Sequence, residues 1–249
     1  MGWKMTEITE IRVADVAAYS ENNRLVLEKY NIDYCCHGNV TLAESCKTKN
    51  ISVNELMGEL NAEQQQHFFS ALHYNVWSPE FLVDFIVENH HHFLKENLVP
   101  LGKLLEHVTD HHGNKFPILH EVRTVYQRFA STLIAHLFRE EEELFPFIKK
   151  MYRLAAEKRT MAPPYFGSIE QLEFSLSKEH ADTGNELALL RELTNNFTPP
   201  AGACNSFKRV YAILEEIYHD TKKHIHLENN LLFPKALEIE KRTIVKTST

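Results

Sequence analysis

Two eleven-residue stretches carry the residues best suited to chemistry. Residues 136–146 read HLFREEEELFP, and residues 224–234 read HIHLENNLLFP. Each holds a His, a Glu four positions later, and Leu-Phe-Pro at its end. Positions i and i+4 of a helix lie on one face. His136/Glu140 and His224/Glu228 therefore each set an imidazole beside a carboxylate. One such pair is ordinarily an exposed polar contact worth a few tenths of a kcal/mol. The same pair twice, with the same apolar-Pro ending, points to two pairs meeting in a bundle core around metal.

A duplicated unit should extend beyond eleven residues. His136 and His224 are 88 residues apart, and stepping about that far upstream of His180 reaches the run His90-His91-His92. His90 precedes His136 by 46 residues and His180 precedes His224 by 44. Helical geometry turns His91 about 100° and His92 about 200° away from His90. The apolar residues Phe81, Phe85, Leu94, Leu98 and Leu101 suit either His90 or His91, so spacing alone leaves both open. A Glu six residues on, Glu96 after His90 and Glu186 after His180, favours His90. The candidate ligands are then His90, His136, Glu140, His180, His224 and Glu228. His112 falls outside the set, because a continuous helix would place it about 33 Å from His90. His226 should point away from the site. Of the acidic run Glu140–Glu143, only Glu140 has ligand spacing.

Four imidazoles and two carboxylates are awkward for one ion and natural for two. Each metal would take two His, and the carboxylates would bridge, leaving positions for an oxo or hydroxo bridge and an exogenous ligand. Imidazole and carboxylate without thiolate suit iron or manganese, whereas zinc usually settles with four ligands. Ferritin-like sites differ in using Glu-x-x-His and more carboxylates.

The elements that must hold these residues are helices. Ser78-Pro79 is an N-cap followed by Pro at the first helical position. Helices are expected over about 79–110, broken or kinked near Pro100, then 117–158, 168–195 and 201–240, with Ser168 and Gln171 in capping-box spacing. Residues 78–249 thus read as an all-α four-helix bundle. Residues 1–77 read as a small helical domain and linker, the linker being 61–77. Thr41/Glu44 and Ser52/Glu55 mark helix starts there, and Val53, Leu56, Met57 and Leu60 form an apolar face. About 55 residues is marginal for independent stability, so this module leans on the bundle or on a partner, which points to a homodimer.

A net charge of −7 excludes the basic face that nonspecific nucleic-acid binding needs. Fifteen His residues raise the expectation of metal or proton chemistry. No run of about 18 apolar residues suggests a membrane span, and the N-terminus lacks the apolar core of a signal peptide. The four cysteines, Cys35, Cys36, Cys46 and Cys204, make no C-x-x-C motif. Reduced thiols and a cytoplasmic location are expected.

The stretches DYCCHG at 33–38, KEHADTG at 178–184 and TPPAGAC at 198–204, with the two repeats, make the chain resemble the RIC (repair of iron centres) family of ScdA, YtfE and DnrN type. The resemblance covers nearly the whole chain. It implies a short N-terminal domain joined to a hemerythrin-like bundle with a non-haem centre of two Fe ions, oxo-bridged when oxidised. It places the ligands on the same six residues. It implies a bacterial cytoplasmic protein that restores iron–sulfur clusters damaged by nitric oxide or oxidative stress, with damaged iron–sulfur proteins as partners. Iron supply is the first chemistry this suggests, with Cys35 and Cys36 contacting the client or relaying iron. Reduction of nitric oxide or peroxide at the metal, or sensing of oxygen or nitric oxide with the N-terminal module as output, would use the same ligands.

Overall fold

Each long rod of the bundle changes apolar partners at one histidine. The structure, a computed structural model, describes residues 10–66 and 74–244. Among these the chain is all-α, with only isolated bridges between Arg12 and Thr41 and between Met161 and Ile244. The first rod comprises α5 (Pro79–Phe85), a π-helical turn (Ile86–His91) and α6 (His92–His112). The second comprises α7 (Ile118–Arg139), a π turn (Glu140–Leu144) and α8 (Phe145–Ala156). The third is α9 (Ile169–Leu193), and the fourth joins α10 (Asn205–Leu227), a π turn (Glu228–Leu232) and α11 (Phe233–Thr243). α6 packs on α7, α7 on α9, α9 on α10, and α10 back on α6. Rods joined in this order run up-down-up-down, the arrangement of a four-helix bundle.

Two apolar layers fill the bundle. One is built around Leu94, Leu133, Leu137, Leu187, Ile217 and Tyr218. The other gathers Ile86, Leu144, Leu176, Leu227 and Phe233. In the first rod the change of layer falls between Ile86 and Leu94, and in the fourth between Tyr218 and Leu227. A polar layer is therefore sandwiched between two dry ones, which keeps water from it and strengthens electrostatics within it.

Local chemistry explains the rod ends. Ser78 and Ser168 cap α5 and α9 by accepting the N–H of Phe81 and Gln171, both at 3.2 Å. The π turns of the second and fourth rods follow from the Leu-Phe-Pro endings. Pro146 and Pro234 have no N–H to return to the preceding turn, and their rings crowd its carbonyl. The N–H of Phe145 bonds the carbonyl of Glu140, and that of Phe233 bonds Glu228, five residues back in each case. The extra residue per turn re-aims the side chains around it. Pro100 behaves differently. The helix does not break there, and α6 runs through it from His92 to His112. Pro100 lies on the exposed face, so solvent can take the carbonyl it leaves unpaired.

The N-terminal helices are α1 (Val13–Tyr19), α2 (Glu21–Lys29), α3 (Leu42–Lys49) and α4 (Val53–Gln66). Thr41 and Glu44 form the complete capping box at α3. Val16, Leu27, Tyr34, Leu56 and Leu60 close a third core that also takes Ile225 from α10. Of the stretch 61–77, residues 61–66 continue α4, 67–73 lie outside the described residues, and Tyr74–Val76 makes a 3-10 turn that buries Tyr74. The turn between α2 and α3 meets the fourth rod. Asn230 donates to the carbonyls of Tyr34 and Cys35 at 3.2 and 3.3 Å. The buried His226 ring stands edge-on to Tyr34 at 5.4 Å, on the side away from the imidazole layer.

Candidate metal centre

The polar layer contains two overlapping groups of ligand atoms. His91, Glu140, His224 and Glu228 form one; His136, Glu140, His180 and Glu228 form the other. All six residues are buried. His91 Nε2 lies 3.1 Å from His224 Nε2, and His136 Nε2 lies 3.0 Å from His180 Nε2. Two nitrogens each bound about 2.1 Å from one ion stand about 3.0 to 3.4 Å apart. These separations therefore fit nitrogens converging on one cation.

The carboxylates link the two groups. Glu140 puts Oε1 3.3 Å from His136 Nε2, and Oε2 3.5 Å from His91 Nε2 and 3.9 Å from His224 Nε2. Glu228 puts Oε1 2.8 Å from His224 Nε2 and Oε2 3.3 Å from His180 Nε2. Each carboxylate thus offers one oxygen to each group. Both oxygens of Glu140, and Oε2 of Glu228, are buried without a hydrogen-bond donor. A buried carboxylate in that condition is costly unless a cation compensates it. The donor set fits a metal on these grounds.

The backs of the rings are held as metal-binding imidazoles usually are. His91 Nδ1 donates to Glu141 at 2.7 Å, His136 Nδ1 to Glu179 at 3.0 Å, and His180 Nδ1 to Asn229 Oδ1 at 2.8 Å. Burial works against charge on His136, but Glu140, Glu179 and Glu228 outweigh it and push this imidazole up to about 10. His224 is likewise raised against its burial by Glu228 and Glu140. Hydrogen bonding to His136 is the main cause that holds the Glu179 carboxyl down to about 2. The buried carboxylates of Glu140 and Glu228 give the layer a negative field, which attracts cations.

Five of the six sequence candidates come together: His136, Glu140, His180, His224 and Glu228. At the remaining position the structure places His91, not His90. The π turn of Ile86–His91 lets both rings be buried, on different faces. His90 Nδ1 donates to Asp220 Oδ1 at 2.7 Å, and its ring stacks beside His224 at 6.1 Å. His90 Nε2 is buried without a partner. His92 is exposed and pairs with Glu96 at 3.3 Å. The apolar stripe Leu94, Leu98, Leu101, Leu105 counted backwards lands on 91, the ring that the structure turns into the layer. Glu141, Glu179 and Asn229 carry no comparable signal. His112 sits at the end of α6, 3.3 Å from Cys204 Sγ, outside both groups.

Cys35 and Cys36 lie against this layer. Their sulfurs are 3.7 Å apart, and the Cys36 thiol donates to the backbone carbonyl of His180 at 3.4 Å. Asn229 spans the junction. Its Oδ1 accepts from His180, and its Nδ2 donates to the Cys35 carbonyl at 3.4 Å.

A buried imidazole–carboxylate layer within a four-helix bundle is the arrangement of a hemerythrin-type cation-binding protein, and residues 82–236 match the family model of the hemerythrin HHE cation binding domain. Residues 9–64 match a second model, ScdA_N, a domain of unknown function. With both domains present, the chain belongs to the family of ScdA and YtfE proteins. It is 30% identical over 210 residues to the iron-sulfur cluster repair protein ScdA of Staphylococcus haemolyticus, covering 84% of this chain and 90% of that one. It is 32% identical over 218 residues to the iron-sulfur cluster repair protein YtfE of Yersinia pseudotuberculosis, covering 86% and 91%. No described helix is long and apolar enough to cross a membrane.

Proposed function

We propose that this chain repairs damaged iron–sulfur clusters, and that its bundle holds two irons, one in each ligand group, as the iron it supplies. The observation that carries this reading is the sharing of Glu140 and Glu228, each with one oxygen toward each group. The names of the ScdA and YtfE relatives support repair as the purpose. Iron–sulfur proteins of the cytoplasm would be the clients, and four free thiols suit that compartment.

Bound iron would supply a labile ferrous pool. The residues around it determine its lability. His91, His136, His180 and His224 would each bind through Nε2. Glu141, Glu179 and Asn229 orient three of these rings from behind. Metal binding needs the rings neutral and the carboxylates ionised, so protons would compete with metal for these residues. Glu140 and Glu228 lie between the two groups, so loss of either weakens both. Cys36, on the carbonyl of His180, and Cys35 behind it stand where iron leaving toward a client could be relayed.

The test is repair of a nitric oxide-damaged cluster enzyme by wild-type protein and by Glu140→Leu/Glu228→Leu. Rescue by the wild type alone is expected. Equal rescue by both overturns the proposal.

A further inference from the structure

Between the Cys35–Cys36 turn and the α9–α10 face lies a cavity of about 510 Å³. Ala181, Gly184 and Ala188 of α9 make the room. Gly184 also admits the Cys36 thiol, since a Cβ there would stand 3.3 Å from its sulfur. The remaining wall sets Tyr218 and Ile225 beside two cations, Lys222 and Arg191, and two carboxylates, Asp33 and Glu192. The Lys222 ammonium rests over the rings of Tyr34 and Tyr218 at 4.8 and 5.4 Å, with no hydrogen-bond acceptor among the described residues. Arg191 is anchored through Nε to Asn196 at 2.8 Å and through Nη1 to Asn31 at 2.5 Å, which leaves Nη2 for another acceptor. Asp33 does not supply one. It accepts the backbone N–H groups of Cys35 and Cys36 at 2.9 and 3.1 Å and the His37 ring at 2.7 Å.

Two cations able to take carboxylates, one carboxylate able to take an ammonium group, and a half-exposed thiol share one cavity. Its size suits a short peptide rather than a single ion. We propose that it is a thiol–disulfide exchange site for low-molecular-weight zwitterionic disulfides, such as the disulfide of a short cysteine-containing peptide, with Cys36 as the reacting sulfur. The inference goes beyond cluster repair and does not depend on it.

In the step, Cys36 gives its thiol proton to water and its sulfur bonds one sulfur of the incoming disulfide. The ligand S–S bond breaks, and the other half leaves as a thiolate that takes up a proton. One disulfide is replaced by another, so no further oxidant is required. The Cys35 sulfur, 3.7 Å away, can then displace the bound half, which closes a Cys35–Cys36 bond and releases a second thiol.

The experiment uses the full chain carrying Cys204→Ser, which silences the exposed thiol. Glutathione disulfide, neutral hydroxyethyl disulfide and dicationic cystamine are offered at equal concentration, and modification is followed by intact mass and peptide mapping. Modification at Cys36, as an adduct or as the Cys35–Cys36 bond, is expected to be fastest with glutathione disulfide and slowest with cystamine, the extremes differing by about 10-fold or more. Lys222→Met should bring the glutathione disulfide rate down toward that of the neutral probe, while Cys36→Ser abolishes the reaction. Equal rates for the three probes, a faster cystamine, or no reaction at Cys36 overturns the proposal. The charge series on otherwise unaltered protein decides the matter even if Lys222→Met does not fold.

Discussion

His91 Nε2 faces His224 Nε2 at 3.1 Å, while the adjacent His90 turns its Nδ1 to Asp220 at 2.7 Å. Consecutive imidazoles, both buried, have been assigned to different neighbours by one π turn. Metal content separates their roles. His91→Ala should retain roughly half the wild-type metal per chain, because one group loses a nitrogen. His90→Ala should keep the full amount. Elemental analysis of the purified variants measures both, and the opposite pattern would return the ligand role to His90.

Asn229 is the link between the cysteine turn and the His180 ring. Asn229→Ala removes the acceptor that fixes the His180 ring. The expected effect is a loss of metal affinity of about 10- to 100-fold with the fold retained. Competition with a chelator reads the affinity, and circular dichroism checks the helix content. Unchanged affinity would show that packing alone orients His180.

Glu28 ties the N-terminal helices to α10. Burial alone would raise its carboxyl, but His219, 2.7 Å from Oε2, and the hydroxyl of Tyr34, which donates to Oε1, together hold it below its ordinary value. A carboxyl depressed in the folded state stabilises the fold above its unfolded pKa of about 4.5. That contribution fades as pH falls through the lower folded value. Denaturant titrations from pH 7 down to pH 3 should show wild-type protein losing more stability below about pH 4.5 than Glu28→Gln does. Parallel curves for the two proteins would exclude this role.

Phe129 is 1% exposed within the apolar layer below the metal centre, whereas Phe138 on the same helix is 63% exposed. Phe129→Ala should cost about 3–5 kcal/mol. Phe138→Ala should stay within about 0.5 kcal/mol of wild type. Equilibrium unfolding in urea compares them, and a similar cost at both sites would contradict the burial pattern.

Much of the fold is legible in the linear chain because capping and apolar spacing are local. Ser168 and Thr41 accept the very N–H groups their spacing suggests. Glu140 and Glu228 stand out through duplication, and Leu-Phe-Pro proves to be the local cause of the π turns that follow them. His91 is harder to read. Angles counted at 100° per residue do not bury His90 and His91 together, as the π turn of Ile86–His91 does, and no Pro marks that turn as Pro146 and Pro234 mark theirs. Glu141, Glu179 and Asn229 are legible only in three dimensions. Glu141 and Glu179 reach rings on other rods, and Asn229 serves a ring on α9.

Neither helical hairpin contains a complete ligand group. The His91 group needs His224 and Glu228 from the fourth rod, and the His136 group needs His180 and Glu228. During synthesis, then, the growing chain has no finished cation site until Glu228 has left the ribosome. A cation met by a nascent or truncated chain that stops short of Glu228 would find loose imidazoles and no shared carboxylate pair, so loading is confined to chains that extend through the fourth rod.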